Sequence, residues 1–220
     1  MRKYPFMIIP AVAASLVALS AVPASAATHD VLTISKVGGT NVKVGAILKA
    51  NLASGTKVTF VTSAGTLTCT KSSFSSKVTA NPPKPGTAKE SLTAQSFSSC
   101  TSSASGVTVK SVTVGNLPYN VTVSDASGFP VKISQTSSTK PLKTTAVLVV
   151  SGVGTITCIF VAASISGHAS NTGNTVSFSK QTFKKGSGSN GFCPASGTFT
   201  AKYGPVLDTS VTGSPKVFVN

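Results

Sequence analysis

Apolar and polar residues alternate with a period of two along most of this chain, and that alternation predicts strands. Lys57-Val58-Thr59-Phe60-Val61-Thr62 reads as one strand, and Gly65 to Thr70 as the next. Gly106-Val107-Thr108-Val109-Lys110 alternates cleanly. Val112-Thr113-Val114 resumes with the opposite parity, which predicts a bulge near Ser111. Val121-Thr122-Val123, Val131-Lys132-Ile133, Val176-Ser177-Phe178 and Phe199-Thr200-Ala201 behave alike, and Lys216 to Asn220 reads as a last strand. Ala146–Val150 and Ile156–Val161 are more continuously apolar and read as central strands buried on both faces. No segment carries a helical period with a cap.

The breaks are glycine, proline, serine and asparagine clusters. Asn81-Pro82-Pro83-Lys84-Pro85-Gly86 is a proline-rich loop, with a counterpart expected between Ser166 and Asn174 around Gly167 and His168. Lys184 to Gly191 reads as a flexible glycine-serine loop. Asn116-Leu117-Pro118-Tyr119 marks a boundary, with Pro118 either in a linker or in a turn between abutting halves.

The strand pattern is duplicated. Gly65-Thr66-Leu67-Thr68-Cys69 returns as Gly154-Thr155-Ile156-Thr157-Cys158, and residues 31–69 match residues 120–158 without a gap at 12 of 39 positions. A repeat of this length is large enough to be a folded unit. The expected architecture is therefore all-β: two homologous antiparallel β-sandwich halves, residues 27–118 and 119–220, standing as two units or merged into one extended sandwich.

Four cysteines allow three pairings. The duplication selects Cys69–Cys100 and Cys158–Cys193, one bridge inside each half. Each bridge closes a loop worth about 3–4 kcal/mol in the chain-entropy model. A metal site fails on spacing, because there is no Cys-x-x-Cys pair and His168 stands alone. No metal and no cofactor is expected.

The amino-terminal segment changes the compartment. Arg2 and Lys3, an apolar run from Phe6 to about Val22 and small residues at Ala24-Ser25-Ala26 read as a secretory signal peptide over residues 1–26. The expected location is secreted, extracellular or cell-wall associated, where disulfides persist. No later segment is apolar for long enough to cross a bilayer as a helix. Leu117-Pro118-Tyr119-Asn120 lacks the Thr-Gly of a sortase signal.

Charge narrows the partners. Removing Arg2 and Lys3 from the 19 basic residues leaves 17, all lysine, against 4 acidic residues, a net charge of +13. Such a balance attracts anionic envelope or matrix polymers. The remaining chain has no arginine and no tryptophan, and its only tyrosines are Tyr119 and Tyr203. Bidentate base readout and stacking platforms are thus missing, and specific nucleic-acid binding is not expected. Lys43 and Lys132 are repeat-equivalent and Lys110 and Lys202 nearly so, which makes these four the candidate surface-binding residues. An ordinary solvated strand face is the simpler account of them.

Catalytic chemistry is thin. Asp125 and Asp208 are the candidate pair for flanking a glycosidic bond; both stand in turn contexts where an aspartate bonds backbone. A Ser-His-Asp triad would have to use His168, which reads as a solvated loop residue, and no Gly-x-Ser-x-Gly elbow occurs.

The export signal, the Gly-Thr-Leu-Thr-Cys strand, the second cysteine about 30 residues on and Asn116-Leu117-Pro118-Tyr119 resemble a group of secreted actinobacterial β proteins with two cysteine pairs. That group is distantly similar to the secreted activator-of-alkane-oxidation type, which has Trp at the position of Tyr119. The resemblance implies a secreted or matrix-associated β protein and transfers no catalytic residue. The leading expectation is a non-enzymatic protein that associates with the cell envelope or extracellular matrix through a cationic, Ser/Thr-rich surface. The alternatives are a small-molecule binder with a cavity lined by Phe60, Phe160, Phe178 and Phe199, and a secreted protease inhibitor presenting the Asn81–Gly86 or Lys184–Gly191 loop.

Overall fold

β-branched side chains on alternating positions favour the pleated conformation, and they recur through most strands of the computed structural model, which describes residues 29–220. The signal-peptide reading of residues 1–26 lies outside the described residues. The strands are β1 (Leu32–Ile34), β2 (Thr40–Asn41), β3 (Ile47–Asn51), β4 (Val58–Thr62), β5 (Gly65–Ala80), β6 (Thr87–Ser102), β7 (Val107–Gly115) and β8 (Tyr119–Ser124). They continue as β9 (Pro130–Ser134), β10 (Leu142–Val150), β11 (Gly154–Ala162), β12 (Ser164–Ser170), β13 (Thr175–Lys185), β14 (Ser196–Tyr203), β15 (Leu207–Asp208) and β16 (Val217–Val219). All pairings are antiparallel, and no helix occurs among the described residues.

The expected pair of sandwich halves is replaced by a closed barrel of eight strands, in the order β4-β5-β6-β8-β9-β12-β13-β14 and back to β4. Its staves come from both halves of the chain, so the halves do not fold as separate sandwiches. Closure leaves the barrel without a free edge, and eight strands enclose just the space that side chains can fill. Leu92, Tyr119, Ile165, Phe178 and Tyr203 fill it here.

The seam is β12 against β13, where His168, Ala169 and Ser170 pair with Ser177, Val176 and Thr175. This segment was expected to be a loop, because Gly167 reads as a break. Gly167 is instead a close-approach residue: a Cβ there would lie 2.3 Å from the Ser177 carbonyl oxygen and 2.7 Å from the Phe178 ring. Only glycine lets β12 pass that near β13.

From the end of β13, a second sheet of β11, β10 and β7 branches off through Phe160–Lys185 and Val161–Lys184. It folds over the upper barrel wall, with the Phe60 and Phe160 rings 4.6 Å apart between the layers. Of its strands, β10 and β11 were expected to be buried on both faces. Ala146, Ile156, Cys158 and Phe160 are buried, but Val149 on the outer face is exposed. The bulge in β7 falls at Lys110, the residue skipped between Val147–Ser111 and Leu148–Val109. A small sheet, β16-β1-β2, sits by the turn between β12 and β13, where the Asn171 side chain bonds both the N–H and the carbonyl of Val219 at 2.9 and 2.7 Å.

The matched segments occupy different places. Residues 32–41 form β1 and β2 of the small sheet, whereas residues 121–130 belong to β8 and β9 of the barrel. The hairpin β4–β5 lies in the barrel wall and its equivalent β10–β11 in the overlying sheet. The bridges differ likewise. Cys69 is bonded to Cys100 directly across β5–β6, and Cys158 on β11 to Cys193 in the segment before β14.

Candidate functional site

Side chains that alternate inward and outward sort the ionisable groups of this chain by sign. Every lysine from Lys36 to Lys216 is exposed except Lys143, which is half-buried. None of Asp30, Glu90, Asp125 and Asp208 falls among the exposed residues. Asp125 Oδ2 accepts from the Gly86 N–H at 2.9 Å, and buried Asp208 Oδ1 accepts from the Ser210 N–H at 2.9 Å. Asp208 thus serves its own turn, whereas Asp125 ties the turn between β8 and β9 to the end of the proline-rich loop before β6.

Glu90 is the exception in kind. On β6 the sequence Ala88-Lys89-Glu90-Ser91-Leu92 places Ala88, Glu90 and Leu92 inside the barrel and Lys89 outside. Glu90 accepts a hydrogen bond from Ser76 Oγ on β5. Burial pushes its carboxyl above the usual carboxylate range, and the Ser76 bond offsets this only in part. Above it, Gln95 Nε2 donates to Ser72 Oγ and to Tyr203 Oη at 2.9 Å each, and those two oxygens are 2.9 Å apart. Burial holds the Tyr203 phenol up to about 12, despite its bonds to Ser72 and Gln95. These groups line small interior spaces and satisfy one another.

The outward positions make a lysine band. In register across β6, β8, β9 and β12 stand Lys89, Thr122, Lys132 and Ser166. Lys77 on β5 pairs with Ser91, two residues along β6 from Lys89, and with Ile47, two residues along β3 from Lys49. Neighbouring strands are about 4.8 Å apart, so Lys89 and Lys132 flank Thr122 at roughly twice that spacing. Of the four lysines singled out in the sequence, only Lys132 lies in this band. Lys43 follows β2, Lys110 is the β7 bulge and Lys202 on β14 pairs with Ser177; no two of the four oppose each other in any strand pair. Lys49, Lys77 and Lys89 were missed, although the parity of β6 alone places Lys89 outside.

His168 is an exposed strand residue, its Nδ1 3.3 Å from the Gly128 carbonyl oxygen. The phenylalanines expected to line one cavity are divided. Phe178 and Phe199 pack ring to ring at 6.5 Å in the core, where the interior spaces measure only about 50–60 Å³. Phe60 and Phe160 also border an open apolar groove of about 260 Å³ between the two layers.

Both loops expected to protrude are tied down. Val31 N–H bonds the Pro82 carbonyl at 2.9 Å, Lys84 N–H bonds the His29 carbonyl at 3.1 Å, and the Asn81 side chain joins Leu32 and Val42. Lys184 and Lys185 belong to β13. Beyond them, Gly186 N–H and Asn190 N–H bond the carbonyls of Ile159 and Thr157, so the segment runs along β11. Gly186 serves contact with that strand: a Cβ there would lie 3.0 Å from the Ile159 side chain.

Comparison with family models, with curated proteins and with solved structures returned no match for this chain.

Proposed function

We propose that this protein is a non-enzymatic extracellular β-barrel protein that holds to anionic polymers of the cell envelope or matrix through its lysine-rich, Ser/Thr-rich exterior. One observation carries the reading: nearly every lysine is exposed, while Glu90 and Asp208 are buried and Asp30 and Asp125 half-buried. A surface of one sign draws polyanions from beyond contact distance, and its grip weakens as salt screens it. Two disulfides suit an oxidising compartment. The separate engagements of Asp125 and Asp208 favour a structural part for both over a catalytic one.

Fractionation with and without a salt wash tests this. The protein is expected in the envelope fraction and is released by the wash. Protein found wholly in the medium, or retained equally at low and high salt, contradicts the reading.

A further inference from the structure

The open groove is bounded by the two duplicated hairpins, with Phe60 and Leu67 from β4–β5 facing Ile156, Cys158 and Phe160 from β11. At about 260 Å³ it has room for roughly nine groups the size of a water molecule. Its inner end adjoins a smaller apolar space of about 50 Å³, and the two share Phe60, Leu67, Ala146 and Phe160. The lining is apolar almost throughout, and none of the four carboxylates borders it. Phe192 stands at the rim, 71% exposed, although an exposed phenylalanine forfeits the gain of burial. A cation stands next to this rim without lining the groove: Lys185 Nζ donates to the carbonyl of Cys193 at 3.4 Å, and Cys193 lies in sequence between the groove residues Phe192 and Pro194.

We infer that the groove binds a free medium-chain fatty acid, its alkyl chain between the two hairpins, its carboxylate at Lys185 and Phe192 folded over the chain. The apolar walls match the chain and the cation next to the rim matches the carboxylate. The volume suits one short chain and is too small for the paired tails of a membrane lipid. This site is distinct from the lysine band on the barrel, and the two readings stand or fall separately.

Titration calorimetry of decanoate and decanol into the mature, disulfide-intact protein tests the inference. Decanoate is expected to bind saturably, one per chain. Val150→Trp, which fills the groove from β10, weakens it by about tenfold or more. Phe192→Asp, a change on an exposed rim that leaves the fold intact, does the same by placing a negative charge beside the carboxylate. Lys185→Gln weakens decanoate several-fold and leaves decanol unchanged. Absence of saturable decanoate binding, undiminished binding in both V150W and F192D, or equal losses of decanoate and decanol in K185Q each overturn the assignment. Salt-sensitive envelope retention is expected to persist in V150W.

Discussion

Glu90 shows what a buried carboxyl does to a barrel of this kind. Its native state keeps its proton at pH values where the unfolded chain, with an ordinary value of 4.5, has lost it. Between those two values the native state binds more protons, so stability falls as pH rises from about 4.5 towards the raised native value. Below 4.5 the effect is absent. Glu90→Gln keeps a partner for Ser76 and removes the titration. Its unfolding free energy, measured with urea across this range, is expected to stay level where the wild type declines; parallel profiles contradict the placement of Glu90. Tyr203 sets a second test. Tyr203→Phe leaves Ser72 and Gln95 bonded to each other, so the expected cost is about 1–2 kcal/mol. In a chain of this size that lowers the melting temperature by roughly 2–8 °C.

At the scale of elements, closure of the barrel rests on the crossing of β12 and β13. Gly167→Ala puts a methyl group against the Ser177 carbonyl and the Phe178 ring, a clash expected to cost about 1–3 kcal/mol. Calorimetry should show the melting temperature falling, and no change would mean that the two strands do not pass this closely. Alternation made most strands legible, because a half-buried pleat imposes it residue by residue. The parity change around Ser111 located the bulge for the same reason. Strand order was not legible, since closure depends on pairings between residues far apart in sequence, such as Phe60 with Phe199. Gly167 misled because a glycine required for close approach looks the same in sequence as one that ends a strand. The duplication misled in another way. A matched sequence guarantees matched local pleating, but the β4–β5 hairpin became barrel wall and β10–β11 became cover. Only one member of the lysine band was legible: Lys132 was found through the repeat, whereas Lys89, Lys77 and Lys49 needed the register that sets them along it.

For the whole molecule, the proposed function follows from the separation of charge between interior and exterior. Replacing Lys89 and Lys132 by glutamine removes two cations from one band and leaves the core untouched. The double variant is expected to keep the wild-type melting temperature and to be released from envelope fragments at lower salt; release at unchanged salt would move the contact to another face. The most direct measurement is a co-sedimentation isotherm of the purified protein on cell-wall fragments, before and after removal of their anionic polymers, between about 0.1 and 1 M salt, where the screening length shrinks from roughly 10 to 3 Å. The account predicts retention that falls steeply over this range and vanishes on the stripped fragments. Retention that is insensitive to salt, or equal on stripped and intact fragments, would contradict it.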